Sequence, residues 1–312
     1  MRHIGVVGAG NVGTAIAYTT LVKGMADKIS LYDLDAARVR AELLDLRHGL
    51  EFVGPASIQG GDDPAVCEDA DVIVITAGAK QRPGESRRDL AARNGELFRK
   101  LVPELTHVAP TALILVVTNP VDVLTQLAVE ITSRDDGTVF GSGTVLDSSR
   151  LRHLLALRFG IAERHIHAHV VGEHGDSEVV LWSSATIGGA PLLGVETVEG
   201  QVLGQSDCQQ ILDQVRGAAY EIIAGKGATS WAISLATAQI LEAVAYSDHA
   251  SVLPVTAPVG SDLGMGDVCL SLPRRVTAMG AGEVMPLNAT ETELAAIRDS
   301  ADAVMASLHS IA

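Results

Sequence analysis

The chain has 312 residues and a formal net charge of −15. That carboxylate surplus argues against a nucleic-acid partner, which would need clustered Lys and Arg for phosphate contacts. No apolar run reaches the roughly 18 residues of a membrane span, so no membrane partner is expected.

Hydrophobic residues make up 47% of the chain and aromatics only 3%, so the core must be built mainly from Val, Leu, Ile and Ala. An acidic surface repels anions at long range, so an anionic substrate would need local arginines. The three cysteines, Cys67, Cys208 and Cys269, are widely spaced and form no CxxC pair. Such usage suits reduced thiols in the cytoplasm better than a disulfide framework. The opening Met1-Arg2-His3-Ile4-Gly5 reaches glycine too early for a signal peptide and reads as the start of a strand.

The first 140 residues alternate short apolar runs with helical patterns. Strands are predicted at Ile4–Val7, Ile29–Tyr32, Val72–Thr76 and Leu113–Val117, each apolar on both faces as buried parallel strands are. Helices are predicted near 12–24, 36–48, 89–108 and 121–132. Strand–helix alternation predicts an α/β fold with a doubly wound parallel (Rossmann) sheet.

The pattern changes after Gly143. Asp147–Phe159 reads as a helix, His165–Val171 as one strand, and Gly188-Gly189-Ala190-Pro191 as a turn. Residues 208–224 and 229–246 read as helices, and 251–258 and 267–273 as strands around a turn-rich Gly260–Asp267. Thr290-Glu291-Thr292-Glu293 reads as a capping box opening the last helix, whose apolar stripe is Leu294, Ile297, Ala301, Val304, Leu308 and Ile311. The expected organisation is a dinucleotide-binding domain over 1–143 and an α+β catalytic domain over 144–312.

Gly8-Ala9-Gly10-Asn11-Val12-Gly13 is G-x-G-x-x-G, directly after a predicted strand and opening a helix. Glycines there allow a tight turn and close approach to a pyrophosphate, which the helix N-terminus attracts. Asp33 ends the second strand, 20 residues after Gly13. Its carboxylate can accept from ribose hydroxyls and would repel a 2′-phosphate, so the expected cofactor is NAD and not NADP.

His174 sits in Gly172-Glu173-His174-Gly175-Asp176-Ser177, bracketed by glycines after a predicted strand. Asp147 and Arg150, at i and i+3, share one helix face. A lone histidine and a helical ion pair are more often structural than catalytic; here they occur together.

At this point the chain resembles the lactate/malate dehydrogenase family over nearly its full length. The matching segments are GAGNVG at 8–13, YDLD at 32–35, AGAKQRPGESR at 77–87, TNPVD at 118–122, GSGTVLDSSRLR at 141–152, GEHGDS at 172–177 and GKGATSWAI at 225–233. The resemblance implies reversible hydride transfer between NADH and pyruvate, giving L-lactate. It implies that His174 is the acid/base, Asp147 its carboxylate partner and Arg150 the grip on the substrate carboxylate. Arg87, on a closing loop, would polarise the carbonyl. Asn119 would contact substrate or nicotinamide. Thr229 and Ile233 would line the substrate and nicotinamide pockets, and Gly8, Gly10, Val12, Gly13 and Asp33 would hold the dinucleotide.

Malate-specific members look like A-G-x-P-R-K-P-G, with arginine where this chain has Gln81. Oxaloacetate would bring a second carboxylate beside a neutral Gln81 and leave that charge unpaired, at a cost of several kcal/mol. Pyruvate is therefore expected over oxaloacetate; the alternatives are a malate dehydrogenase or another 2-hydroxyacid dehydrogenase, and a non-enzymatic NAD-binding protein, which would be expected to lack one of His174, Asp147, Arg87 and Arg150.

Arg152 and His167 match positions that bind fructose 1,6-bisphosphate in allosteric bacterial members. His165, His167 and His169 are expected on one strand face, but no cysteine or acidic cluster accompanies them, and no metal is expected. The early first strand implies that the N-terminal arm of vertebrate members is lacking, and the resemblance implies a homotetramer.

Overall fold

In the computed structural model, alternate residues of the short apolar strands feed two different cores, and that alternation sets the architecture. The structure describes residues 2–79, 87–134, 136–245, 249–260 and 264–310, without the side chains of Arg87 and Arg88.

Six strands form the parallel part of the main sheet: β1 (His3–Val7), β2 (Lys28–Tyr32), β3 (Ser57–Gly61), β4 (Val72–Ile75), β5 (Leu113–Val116) and β6 (Val139–Gly141). Their spatial order is β3-β2-β1-β4-β5-β6. Four helices connect them: α1 (Asn11–Val22), α2 (Ala36–His48), α3 (Arg87–Val108) and α4 (Val121–Thr132). Ile4, Val6, Val72, Val74, Leu113 and Leu115 face the core under α1 and α2. Val7, Ile73, Ile75, Ile114 and Val116 face the opposite core under α3 and α4. Burial on both faces is why these runs carry no polar alternation. The strand order reverses between β1 and β4, where open α/β sheets place ligands beyond the strands' carboxyl ends.

The predicted strands and helices of this half form within a residue or two of their expected limits. β3 and β6 were not expected. Ser57-Ile58-Gln59-Gly60-Gly61 has too little apolar content to read as a strand. Gly60 is there because the backbones crowd: a Cβ on it would lie 2.2 Å from the Leu31 carbonyl oxygen.

The second half contributes α5 (Val145–Phe159), the short strands β7 (Ile166–His167), β8 (Val170–Val171), β9 (Val179–Val180), β10 (Thr186–Ile187) and β11 (Ala190–Pro191), and α6 (Gln205–Lys226) and α7 (Trp231–Ala245). The long strands β12 (Ser251–Pro258), β13 (Cys269–Thr277) and β14 (Gly280–Val284) and the last helix α8 (Glu291–His309) follow. Two expectations are corrected here. His165–Val171 is not one strand: β7 pairs with β10 and β8 with β9, in separate small sheets. The three histidines therefore do not share a single strand face. The strand expected at 267–273 runs from Cys269 to Thr277 and turns into β14, which was also not expected.

β12, β13 and β14 do not build an independent sheet. They continue the parallel sheet in antiparallel fashion, β12 joining β6 through Thr256 and Gly141. The turn at Gly188-Gly189 forms with positive φ at both glycines, between β10 and β11. The capping box of α8 also forms: Thr290 Oγ1 accepts from the Glu293 amide at 3.2 Å, and the Glu293 carboxylate accepts from the Thr290 amide at 2.7 Å. Ile297, Ala301, Val304 and Leu308 are buried in the core with β13. Among the described residues, no helix is long and apolar enough to cross a membrane.

Candidate active site

The glycine loop follows β1 at the point where the strand order reverses. Gly8 has φ +104°, and a Cβ there would lie 2.7 Å from the Ala77 nitrogen. On Gly13 a Cβ would lie 1.8 Å from the Gly8 carbonyl oxygen, so α1 reaches the loop only because that side chain is missing. Gly10 differs: a Cβ would meet nothing within 4 Å, so this position borders open space at the helix end. Gly10 is the N-cap of α1 with no side-chain cap, and the first turn holds no acidic residue. Free amide donors and the helix dipole are therefore left for an anion.

Asp33 lies beside them, half-buried at the end of β2. Its carboxylate accepts from the Ala9 amide at 2.7 Å and from the Asp35 amide at 3.0 Å, with lone pairs left for ribose hydroxyls. These residues fit a dinucleotide: a cradle without side chains for the pyrophosphate and a fixed carboxylate for the ribose. Val12 and Ile233 both pack against the core shared by α1 and α7. Thr229 lies in the loop just before α7.

The Asn119-Pro120 peptide, which is cis, links β5 to α4, with Asn119 exposed. The Asn119 carbonyl accepts from Asn94 Nδ2, and Asn94 Oδ1 accepts from the Ala79 amide, each at 2.8 Å. Asn94 is buried and ties the segment after β4 to the segment after β5. Nothing in its sequence setting on α3 marks it out.

The histidine loop is held by four elements. The His174 amide donates to Asp122 Oδ2 on α4 at 2.7 Å. Asp122 Oδ1 in turn accepts from Thr256 on β12 and Ser271 on β13. The Glu173 amide donates to Ser300 Oγ on α8 at 2.7 Å. Gly172 has φ +90°, and a Cβ there would press 2.6 Å from Ser300 Oγ. Asp122 thus joins the histidine loop to the helix that begins beside Asn119. Burial pushes the Asp122 carboxyl up to about 6 against the hydrogen bonds it receives.

α5 presents the partner groups. Thr144 Oγ1 donates to the Val170 carbonyl at 2.6 Å, and Ser148 Oγ accepts from the Val170 amide at 2.9 Å, pinning the start of α5 to β8. Asp147 on that turn is 1% exposed. Its Oδ2 lies 2.6 Å from His174 Nδ1, and its Oδ1 accepts from Arg150 Nη1 at 2.7 Å. His174, Asp147 and Arg150 are therefore brought into one cluster. Burial pulls the His174 imidazolium down, but the Asp147 carboxylate more than reverses this and lifts the ring to about 9. Burial likewise pushes the Asp147 carboxyl up, and the His174 and Arg150 cations outweigh it, so Asp147 stays ionised. The ring keeps Nε2 for a substrate, and its side chain is 24% exposed.

Glu178, which the sequence did not single out, is also in this cluster, 2% exposed. Asp147, His174 and Glu178 each offer a ligand-type atom within 4.8 Å of the others. Gln81 and the side chain of Arg87 lie outside the described residues.

Arg152 lies two residues beyond Arg150, about 200° further round the helix, so it faces away from the cluster. Arg152 and His167 line a cavity of about 220 Å³ together with Arg164, His169 and Pro254. Burial, with the neighbouring Arg152 and His167, pushes the His169 imidazole down to about 4.

Residues 2–141 match the family model for the NAD binding domain of lactate/malate dehydrogenase, and residues 144–312 match that of its alpha/beta C-terminal domain. The chain is 43% identical over 300 residues to an L-lactate dehydrogenase of Bifidobacterium animalis subsp. lactis, covering 96% of this chain and 93% of that one. It is 44% identical over 299 residues to an L-lactate dehydrogenase of Synechococcus sp., covering 95% of each. Among solved structures, the minor L-lactate dehydrogenase of Enterococcus mundtii superposes with a TM-score of 0.94 at 34% identity, covering 100% of this chain and 98% of that one. A lactate dehydrogenase from a Medee basin deep-sea metagenome library superposes at 0.93 with 34% identity, covering 100% and 99%. The chain belongs to the lactate/malate dehydrogenase family, whose first domain binds NAD.

Proposed function

We propose that this protein is an NAD-dependent L-lactate dehydrogenase that reversibly reduces pyruvate. The observation that carries the reading is the Asp147 carboxylate shared between His174 and Arg150. One buried anion aligns the proton donor and the carboxylate-binding cation beside a dinucleotide crevice.

When bound, NADH supplies the hydride. His174, protonated at neutral pH because Asp147 faces it, donates from Nε2 to the pyruvate oxygen as negative charge builds there. In the reverse direction the neutral ring accepts the lactate hydroxyl proton at Nε2. Arg150 spends one N–H on Asp147 and offers the rest of its planar fork to the substrate carboxylate. Arg87 completes the site by polarising the carbonyl, and Asn119 and Thr229 contact the substrate. Gln81 selects the methyl of pyruvate over a second carboxylate. Gly8, Gly10, Val12, Gly13, Asp33 and Ile233 hold the cofactor. An NADH-oxidation assay with pyruvate, oxaloacetate and 2-ketoisocaproate tests the reading: pyruvate is expected to be turned over fastest, and a preference for oxaloacetate would overturn it.

The cavity at Arg152 and His167 takes a fructose 1,6-bisphosphate phosphate group in this reading. Its supports are the clustering of Arg152, Arg164 and His167 around one opening and the offset of Arg152 from Arg150 round α5. The effector is expected to lower KM for pyruvate; unchanged pyruvate saturation would count against it. The working form is a cytoplasmic homotetramer. Tyr18 and Val22 on α1 and Trp231 and Leu235 on α7 are each more than half exposed, and an apolar surface of that kind suits subunit contact. Sedimentation of the purified protein tests it, a monomer being the contrary result.

A further inference from the structure

Glu178 has no part in the reaction derived above, yet it is one of the most enclosed carboxyls in the molecule. It is 2% exposed, and its Oε1 is sealed from solvent without a hydrogen-bond partner among the described residues. Arg216, a cation on α6, donates to the Glu178 backbone carbonyl at 2.5 Å, and its own Nε is buried without a partner among the described residues. Among the described residues Glu178 has no salt bridge, although its carboxylate lies within 4.8 Å of an Asp147 carboxylate oxygen and a His174 ring nitrogen. A carboxyl in this setting cannot be explained as an ion pair or as a cap.

We propose that Glu178 is a positioning residue that holds a proton beside the Asp147–His174 pair and, by releasing it in alkaline solution, keeps the imidazole charged over a wider pH range. The inference rests on the reading of His174 as the acid/base. The charged groups that bear on Glu178 are Asp147 and Arg150 from α5, Arg216 from α6 and His174 from its own loop; Asp122 on α4 also bears on His174, from whose amide it accepts. Burial, reinforced by Asp147, pushes Glu178 up to about 8, against the pull of His174, Arg216 and Arg150. At neutral pH the group is therefore mostly uncharged, and the substrate anion meets no added repulsion. As the pH rises it ionises before the His174 ring does, and its new negative charge opposes loss of the ring proton. Reduction, which needs the charged ring, then persists further into alkaline solution than Asp147 alone would allow.

The test is titration of the His174 ring by NMR in the full-length, NAD-loaded protein labelled at histidine, with the resonance assigned from His174→Gln. Glu178→Gln is expected to move the ring midpoint down by about one pH unit, about tenfold less imidazolium at a given alkaline pH. The alkaline limb of pyruvate reduction should move with it. Glu178→Asp, which keeps a carboxyl, is expected to restore much of the midpoint. An unchanged midpoint in Glu178→Gln would overturn the proposal. Should that variant fail to fold, the wild-type curve decides: two steps in the His174 shift support the proposal, and a single step overturns it. Full pyruvate reduction by His174→Gln would instead remove the proposed reaction, while the ring titration would still report whether Glu178 acts on His174.

Discussion

Asp147 Oδ2 lies 2.6 Å from His174 Nδ1, the carboxylate being buried and the ring 24% exposed. The anion thus stabilises the charged ring from inside while the opposite ring edge faces the open side of the site. Asp147→Asn keeps the shape and removes the charge. It is expected to lower kcat/KM for pyruvate by about 10²-fold at neutral pH. The alkaline limb should also fall from about 9 toward or below the ordinary histidine value. A pH–rate series with NADH oxidation checks both; an unchanged limb would show that Asp147 does not set the ring charge.

Stability should fall as solution becomes alkaline. The folded His174 titrates at about 9 against an ordinary 6.5, so its contribution is fully present below 6.5 and is lost as pH rises through about 9. Glu178 is raised from 4.5 to about 8, so the folded state also holds that proton more tightly, and this contribution is lost as pH rises through about 8. Thermal unfolding of the apoprotein between pH 6.5 and 9 should show a falling midpoint, with a smaller fall in His174→Gln. A flat wild-type profile would contradict both assignments.

Arg150→Lys replaces a planar fork with a point charge that cannot serve Asp147 and a substrate carboxylate together. KM for pyruvate is expected to rise by about 100-fold, the worth of a charge-assisted hydrogen bond or two. NADH affinity, read by fluorescence titration, should stay as in wild type. Loss of NADH binding would place Arg150 elsewhere in the mechanism.

Two alanine substitutions in the glycine loop should part company. Gly13→Ala forces a Cβ to 1.8 Å from the Gly8 carbonyl oxygen, so both the thermal midpoint and NADH binding should drop. Gly10→Ala meets nothing within 4 Å, so the fold should tolerate it while the methyl intrudes on the pyrophosphate space. NADH affinity should then weaken about tenfold or more with little change in thermal midpoint. Equal losses of stability in both variants would refute the distinction.

Gln81→Arg should move kcat/KM from pyruvate toward oxaloacetate by supplying the cation that a second carboxylate requires. Parallel assays with the two keto acids measure the ratio. An unaltered ratio would mean that discrimination resides elsewhere in the pocket.

Much of this was legible in the chain. The buried parallel strands announced themselves because both their faces are apolar, and the glycine loop and Asp33 because backbone approach and carboxylate placement demand particular residues at particular offsets. Asp147 and Arg150 were readable as one helix face, since α-helical spacing is local. Local pattern could not show that residues 165–171 split between two sheets, because a strand's partners are chosen by distant segments. Nor could it show β3, whose Gly60 is dictated by the neighbouring Leu31 backbone. Asn94, Ser300 and Glu178 carried no signal for the same reason, and Asp122 stood in a matched segment with no role legible. A buried polar group acquires meaning only from what surrounds it, and those surroundings come from α3, α4, α8 and the histidine loop, far apart in sequence. The sequence alone determined which groups the chain possesses for dinucleotide binding and proton transfer. Only the tertiary structure decided which carboxyls are sealed from water next to His174, because desolvation and charge pairing depend on distance in space.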